Sequence, residues 1–567
     1  MLKRPGISAR NSLFQLLRSE WVFGCSLAAG ITLRLYQIRR QIPADDEWHA
    51  LTAVLYSDYP SILTHFGSAD RSIPLTAFYE ILSHTVGLSE MEMRFLPLAC
   101  GIAALLVVPL VAGFAVGRPA ARITGSLLAL SPLHIYFSRY ARPYGITMLI
   151  AWVGLFAFYR WWVNAQDDWR WVYVACAVAG PYFHLVVAPV LLSPLVLLLF
   201  WSVASRTTHQ DHFRWRQIGS LIVALAGGFC LLFLLPVLVD FGSLQGKVSR
   251  SGITWNSISG AAHLLAGSRS NAFVMVAALL CVAGAVILYR RSRRLAAFLL
   301  FVVFCQALFA VATAPEGIHV PIVLARYLLA LLPILLLLAA VSVQRLDQAL
   351  GKLSYYPAGS LAALLVLAQF FAGPLRSIYY FPNNWTNHAI FQYYYYRPEG
   401  QNPYEDILRP KAIPAFYSRL ASLPRGSVSV VEAPWYYEWQ NIHFLYYQQA
   451  HRQWMYVGFV DENVLAVRTG ELPRALPGFW FRNFVHVADL AGLRYRHVNY
   501  VIFHKDIAHE IPNLAPRPAV DVSHWMDYYR REFGAPIFED TLLAVFDVSR
   551  GLPQRHQATK DQDLGLK

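Results

Sequence analysis

Long apolar runs recur along this chain up to about residue 375, and they limit its possible folds more than any other feature. About 20 apolar residues in a helix cross the hydrocarbon core of a bilayer, where only helices and closed barrels satisfy every backbone polar group. The charged residues, 14% of the total against 56% hydrophobic, cluster between these runs. The sequence therefore predicts a polytopic α-helical membrane protein with about eleven transmembrane helices. We place them near residues 21–38, 95–116, 121–137, 145–163, 170–184, 186–204, 218–240, 273–289, 295–314, 327–344 and 358–375.

Basic residues collect in loops that alternating spans place on one side of the membrane. They are Lys3, Arg4, Arg10 and Arg18 before the first span, Arg118 and Arg122, then Arg206, Arg214 and Arg216, and the cluster Arg290, Arg291, Arg293 and Arg294. Lys and Arg are enriched in cytoplasmic loops, so we expect a cytoplasmic N-terminus and a multi-pass protein of the bacterial inner membrane. The start lacks the layout of a cleaved signal peptide, so the first span is expected to stay as an anchor.

The chain beyond residue 375 has a different composition. "GSVSVVEAP", "VNYVIFHK" and "TLLAVFDVS" read as strands, and "IPAFYSRLASLP" and "SHWMDYYRREFG" have helical spacing between them. We predict a multi-span transmembrane domain at 1–375, with a first external loop at about 39–94, and a periplasmic α/β domain at 376–550. The polar end, 551–567, is expected to be a disordered tail.

Cysteine usage and net charge exclude several functions. The cysteines, all within apolar runs, are Cys25, Cys100, Cys176, Cys230, Cys281 and Cys305. They form no CxxC motif, so redox chemistry and a disulfide framework are not indicated. The net charge of +14 lies largely in short loops between spans, so it does not indicate nucleic-acid binding.

An acidic block, Asp45, Asp46 and Glu47, follows the first span in "IRRQIPADDEWHAL". One interpretation is a solvated loop in which an acid caps the next helix. The other is chemical: clustered carboxylates rarely all ionise freely, so at least one pKa should be raised, which suits a general base or a metal ligand.

Two further motifs place arginines on the same outer side. In "SPLHIYFSRYARPYGI", Arg139 and Arg142 stand three residues apart near Tyr144, and "PIVLARYLLALLP" carries Arg326 and Tyr327. Interfacial anchoring and snorkelling are the structural alternatives. In the functional interpretation, the two guanidiniums at one helix–loop junction would bind a phosphate.

Weaker candidates are His184 and Glu80, which lie near the membrane boundary. Packing or capping is the structural alternative for each of them. The aromatic-rich stretch "EAPWYYEWQNIHFLYYQQAHRQWMY" suits either sugar stacking or packing within its own domain.

Together these stretches resemble the GT-C membrane glycosyltransferases, and most of all bacterial relatives of the protein O-mannosyltransferases and the lipid A aminoarabinose transferase, in glycosyltransferase family 39. Those enzymes carry an Asp-Glu pair in the first external loop, matched here by Asp46 and Glu47 in "DDEWHAL". They often contain "YSQEARPYAL", where this chain has "YFSRYARPYGI", and an Arg-Tyr pair like that of "RYLLALLP". The resemblance covers residues 15–375, and the tail is similar, less specifically, to the periplasmic domains of these enzymes.

The resemblance implies transfer of a sugar from a polyprenyl-phosphate-linked donor to a lipid, glycan or protein acceptor on the outer face, with inversion at the anomeric carbon. Asp46 would be the catalytic base and Glu47 would orient it or the acceptor, with Asp45 beside them. The residues implied at the donor phosphate are Arg326, Tyr327, Arg142, Arg139 and Tyr144, with His184 and Glu80 at the acceptor or in support.

This chain departs from the pattern at Tyr140, where those families often have a glutamate. If that glutamate supplies a second acid, the candidates here are Asp45, Asp70 and Glu80, and the sequence does not choose among them. Most of the resembling enzymes work without a metal, so we expect no cofactor. Three adjacent acids nevertheless leave Mg²⁺ or Mn²⁺ open.

Other functions remain open at this point. A transporter or flippase would show ionisable residues at mid-membrane depth and broken helices paired in two repeated halves, and no such repeat is visible. A surface-polysaccharide polymerase or ligase usually carries its large external loop between spans rather than at the end. A non-catalytic scaffold whose tail binds a partner would leave the outer acids and arginines unexplained.

Overall fold

The structure is a computed structural model of the chain. It describes residues 9–36, 38, 46–67, 72–88, 90–204, 211–246, 252–268, 270–315, 317–351, 360–372, 412–433, 444–455, 493, 498–506 and 522–549.

Helices make up most of the chain before residue 373. In order they are α1 Ala9–Leu35, α2 Glu47–Tyr56, α3 Tyr59–Thr64, α4 Ile73–His84, α5 Glu90–Val116, α6 Arg118–Ala129, α7 Pro132–Ser138, α8 Tyr144–Trp162, α9 Trp169–Phe183, α10 Ala188–Ala204, α11 Asp211–Gly246, α12 Trp255–Ala266, α13 Asn271–Arg291, α14 Arg293–Thr313, α15 Pro321–Leu328, α16 Leu332–Leu350 and α17 Ser360–Ala372. Short 3₁₀ turns, Leu185–Val187 and Leu329–Leu331, join α9 to α10 and α15 to α16.

Six helical stretches among the described residues are long and apolar enough to cross a membrane. They are Met91–Val116, Tyr144–Trp162, Arg216–Ser243, Asn271–Arg291, Arg293–Thr313 and Pro321–Leu350. The prediction of a mostly helical chain with several apolar spans is confirmed. The number eleven stays a prediction.

One of the predicted spans is broken, for a reason visible in the chain. The helix expected at 121–137 stops at Ala129, and a new helix starts with Pro132 in its first turn, a position that suits proline because its missing N–H has no partner there. The predicted spans 170–184 and 186–204 are separate helices that meet at His184, which is extended and begins the 3₁₀ turn that leads into α10.

Small residues allow the long helices to approach closely, as is usual in membranes. A Cβ atom at Gly284 of α13 would overlap the backbone carbonyl of Leu338 in α16. A Cβ atom at Gly101 of α5 would overlap the side chain of Ser138 at the end of α7.

The region between α1 and α5 packs onto the turn that joins α7 to α8. The buried side chains at this contact are Ala50, Val54, Leu75, Tyr79, Ala141 and Ile146. Tyr79 also donates a hydrogen bond to the carbonyl of Met93 at 2.7 Å. The acidic block and the arginine-rich turn are therefore held next to each other.

The described residues after 411 form a five-stranded sheet with three helices. The strands are β1 Ser429–Ala433, β2 Trp454–Met455, β3 Tyr500–His504, β4 Phe538–Glu539 and β5 Leu543–Asp547, in the order β2-β1-β3-β5-β4. β1 runs parallel to β2 and β3, and β5 runs antiparallel to β3 and β4. The helices are α18 Ala415–Ala421, α19 Phe444–His451 and α20 Val522–Phe533.

Each strand and helix predicted from the five quoted stretches of this region lies where the sequence placed it. The boundary at 376 and the tail at 551–567 lie outside the described residues, so the division into domains stays a prediction.

Candidate active site

Asp46 stands immediately before α2, where the carboxylate of an N-cap residue is favoured by the helix dipole. Its Oδ2 accepts a hydrogen bond from Nη1 of Arg326, which comes from α15, and its Oδ1 lies 3.5 Å from Nε2 of His49. The Asp46 and Arg326 side chains are each 17% exposed. The pair is therefore enclosed but still reachable from outside the protein.

The surroundings of Asp46 favour its ionised form. Burial alone raises the pKa of Asp46, but the charges of Arg326 and Arg142 and a hydrogen bond with His49 outweigh it and hold the pKa well below the usual 3.8. The sequence analysis expected at least one raised pKa in the acidic block, and Asp46 is not that residue. Asp45 lies outside the described residues, so the expectation stays a prediction.

Glu47 faces away from Asp46 and is held in a buried ion pair. Nε and Nη2 of Arg94, from α5, donate to its Oε1 and Oε2 at 3.0 and 2.9 Å, and the backbone N–H of Ala141 donates to Oε1 at 2.8 Å. The Glu47 and Arg94 side chains are each 1% exposed. Glu47 thus ties α2 to α5 and to the turn after α7.

Arg94 was missed by the sequence analysis, although a signal was present. It is the last residue of the predicted first external loop, and an arginine on the outer side runs against the usual distribution of basic residues.

Aromatic rings and arginines gather around the Asp46 carboxylate. The guanidinium carbon of Arg326 lies 5.6 Å from the ring centre of Tyr144 and 5.9 Å from that of Tyr327, and that of Arg142 lies 5.9 Å from Tyr144. Cation–π contacts at these distances orient the guanidiniums. The structure therefore brings together four of the five residues predicted at the donor phosphate.

His184 joins the same group through its ring. Its ring centre lies 5.0 Å from that of Tyr144 and 6.4 Å from that of Tyr327, and its Nδ1 accepts the N–H of Val186 at 3.2 Å. Gln306, a buried α14 residue that sequence reasoning missed, donates to the carbonyls of Tyr327 and Val186 at 2.6 and 3.0 Å. His184 is thus placed to support the aromatic rings.

Arg139 lies against the end of α1. Its Nη1 donates to the carbonyls of Leu33 and Tyr36 at 2.8 Å each, which satisfies backbone groups that a helix end leaves open. In return, Arg34 of α1 donates to the carbonyl of Ala129 at the end of α6 at 2.9 Å. These contacts favour a structural role for Arg139, and its part in phosphate binding stays a prediction.

The remaining candidates are Glu80 and the possible second acids Asp45 and Asp70. Glu80 is buried in α4, with its carboxylate 3.5 Å from His84 of the same helix. Asp45 and Asp70 lie outside the described residues. The location of a second acid therefore stays a prediction. Within the described ranges, no group of three His, Cys, Asp or Glu residues is arranged to hold a metal ion.

The structure of this chain is similar to solved structures, although its sequence matches no known family. No protein-family model and no curated protein sequence matches this chain. The crystal structure of ArnT from Cupriavidus metallidurans in the apo state aligns with a TM-score of 0.53 at 13% identity, covering 94% of this chain and 98% of ArnT. The structure of that protein bound to undecaprenyl phosphate gives 0.50 at 14% identity, covering 97% and 100%.

An identity this low establishes the fold alone. The alignment nevertheless extends over nearly the whole of both chains, including the region after residue 411. The resemblance stated from the motifs is confirmed at the level of the fold: the chain has the fold of ArnT.

Proposed function

We propose that this protein is a membrane glycosyltransferase that moves a sugar from a polyprenyl-phosphate-linked donor to a hydroxyl or amine of a lipid, glycan or protein acceptor. The observation that carries the proposal is the meeting of Asp46 with Arg326 and Arg142 beside an aromatic group. The fold of ArnT, which has been solved with bound undecaprenyl phosphate, supports a lipid-linked donor. From the basic loops we place the reaction on the periplasmic face of the inner membrane.

Asp46 acts as the base in this mechanism. The acceptor loses a proton as it attacks the anomeric carbon, and Asp46 is a carboxylate beside Arg326 that is partly exposed and has a lowered pKa. Glu47 holds Asp46 in place through the start of α2. We propose that no metal takes part, because the arginines supply the positive charge.

The lipid phosphate leaves as negative charge develops on it, so fixed cations lower the barrier. Arg326 and Arg142 supply these cations, and their contacts with Tyr144 and Tyr327 keep the guanidiniums in place before the donor arrives. The isoprenoid tail stays in the bilayer while the sugar enters from its surface.

The Asp46–Arg326 ion pair couples the two substrates. While Arg326 is bound to Asp46, the low pKa makes the carboxylate a weak base. A donor phosphate attracts Arg326 and shares its charge, which raises the pKa of Asp46. The base thus becomes stronger when the donor is bound.

The pH dependence of transfer tests the state of Asp46. A base is active above its pKa. Burial raises the pKa of Asp46, but Arg326, Arg142 and His49 lower it by more and hold it below 3.8 in the free protein. We expect kcat/KM to stay level as the pH falls from 7 to 5 and to decline only as the pH falls through the lowered pKa. In Arg326→Gln the decline begins at a higher pH. An identical acid limb in Arg326→Gln and wild type would contradict the coupling.

Arg326→Ala tests donor recognition directly. A hydrogen bond to a charged group contributes about 1.5–3 kcal/mol, so we expect kcat/KM for the polyprenyl-phosphate sugar to fall roughly 10- to 100-fold. The acceptor KM changes much less, because the arginine contacts the donor. Steady-state kinetics with each substrate varied in turn give both values.

Arg345→Ala is the matched control, since Arg345 lies near the C-terminal end of α16, well after Arg326 of α15, and is exposed. It is expected to leave both constants unchanged. Unchanged donor kinetics in Arg326→Ala would remove Arg326 from the phosphate site. If wild type moved the donor lipid across vesicles without transferring sugar, the chain would be a flippase instead.

A further inference from the structure

His49 lies about one helical turn after Asp46, and its imidazole ring faces the Asp46 carboxylate. Its Nε2 is 3.5 Å from Oδ1 of Asp46, and its side chain is 19% exposed, so the contact is made mostly away from water. The other oxygen of Asp46, Oδ2, accepts the hydrogen bond from Nη1 of Arg326. Each oxygen of the carboxylate therefore has its own partner, one from α2 and one from α15.

Asp46 does not use its carboxylate to cap α2. Its backbone is helical, with φ −58° and ψ −17°, and its side chain makes no capping hydrogen bond. Asp58, at the start of α3, has the extended backbone usual for a capping residue, and its side chain accepts the N–H of Ser61 at 3.0 Å. The Asp46 side chain is instead oriented by Arg326 and His49, its hydrogen-bonding partners among the described residues.

These two partners respond differently to the donor in the proposed mechanism. The donor phosphate attracts Arg326, which frees Oδ2 of Asp46. His49 is on the same helix as Asp46, so it stays beside Oδ1. Both the imidazolium and the neutral ring with its hydrogen on Nε2 present an N–H to that oxygen. Hydrogen bonds at active sites are often long before the substrates bind and shorten in the reacting complex, which suits the 3.5 Å contact.

We propose that His49 is the positioning residue of Asp46: it donates the Nε2–H to Oδ1 and keeps Oδ2 directed at the acceptor when Arg326 turns to the donor phosphate. Oδ2 takes the proton of the acceptor hydroxyl or amine, and the electron pair of the acceptor forms the bond to the anomeric carbon. The bond from that carbon to the phosphate oxygen breaks, and its electron pair leaves on the lipid phosphate. His49 keeps its own proton. The inference rests on the proposed function and adds the group that orients its base.

His49→Leu and His49→Gln separate positioning from other roles. Leucine removes the N–H, whereas the amide nitrogen of glutamine stands as many bonds from Cα as Nε2 of histidine and restores a donor. We expect kcat to fall about 10- to 100-fold in His49→Leu, because small misplacements of a reacting group have effects of this size. The donor KM should change little, and His49→Gln should recover most of the wild-type kcat. Initial rates with each substrate varied in turn give these constants.

His65→Leu is the matched control. His65 is a partly buried histidine at the end of α3, in the same region between α1 and α5, and its Nδ1 lies 2.9 Å from Oγ1 of Thr64. Removing this imidazole should leave kcat unchanged. Melting temperatures in detergent should be equal for His49→Leu and His49→Gln, so a difference between their rates does not arise from stability.

A structure of each His49 variant gives a readout that needs no turnover. The Asp46 side chain should leave its wild-type rotamer in His49→Leu and keep it in His49→Gln. An unchanged rotamer in His49→Leu would overturn the inference, as would equal kcat values in His49→Leu and wild type. A His49→Gln variant as slow as His49→Leu would also overturn it, because His49 would then act by carrying a proton. The proposed function fails differently, by absence of transfer in wild type, and the rotamers then still decide whether His49 orients Asp46.

Discussion

Asp46→Asn is expected to reduce sugar transfer by roughly 10²- to 10⁴-fold, which is the usual contribution of a general base. The amide keeps the size of the carboxylate and can still accept a hydrogen bond from Arg326, but it cannot take a proton from the acceptor. The loss should therefore appear in kcat, with little change in the KM of the donor. Initial rates at saturating donor measure it.

The control for this variant is Asp58→Asn. Asp58 is also an N-cap residue, at the start of α3, where its carboxylate accepts the N–H of Ser61 at 3.0 Å. It lies in the same region between α1 and α5, so a general effect of losing an acid there would affect both variants. Equal rates in Asp46→Asn and wild type would move the base to another residue.

Arg94→Leu is expected to lower stability by about 3–5 kcal/mol, because it leaves the Glu47 carboxylate buried without its ion-pair partner. The start of α2 then loses its connection to α5, and Asp46 shifts relative to Arg326. Protein that remains folded should transfer sugar more slowly. Thermal unfolding in detergent and the transfer rate give the two effects.

The double variant Glu47→Leu/Arg94→Leu separates the ion pair from other causes. With both charges removed, no unpaired charge remains buried, so stability should recover above that of Arg94→Leu. Activity should not recover, because the hydrogen bond from Ala141 that positions α2 is also lost. Arg345→Leu, at an exposed site, is the control. A double variant no more stable than Arg94→Leu would show that the pair is not the cause.

Local sequence signals predicted much of the fold because each element depends on nearby residues. The run of apolar residues in α13 and the alternation in "VNYVIFHK" are sufficient to predict a span and a strand. The break at His184 follows from the same kind of signal. The number of spans was harder to predict, since Ser131 and Pro132 interrupt an apolar run that continues on both sides of them.

The site was predicted less completely, because its geometry depends on contacts between distant residues. Asp46 and Glu47 are neighbours in sequence, yet successive positions at a helix start point in different directions. Only the folded positions of α5 and α15 beside the start of α2 decide that Glu47 meets Arg94 and Asp46 meets Arg326. The lowered pKa of Asp46 has the same origin, since burial is outweighed by arginines that are far away in sequence.

Arg139 and Arg142 illustrate the same limit. Three residues apart in one motif, they suggest a joint phosphate site. The turn after α7 instead directs Arg139 to the carbonyls at the end of α1, while Arg142 lies beside Tyr144. Nothing in the motif itself distinguishes the two.

The most direct test of the central proposal is the release of free polyprenyl phosphate by the wild-type protein. Purified protein in liposomes is supplied with radiolabelled polyprenyl-phosphate sugars, with and without a membrane extract as the source of acceptor. We predict that one donor is consumed, that free lipid phosphate and labelled acceptor appear in equal amounts, and that both depend on the extract. Labelled acceptor without release of lipid phosphate, or no consumption of any donor, would contradict the proposal.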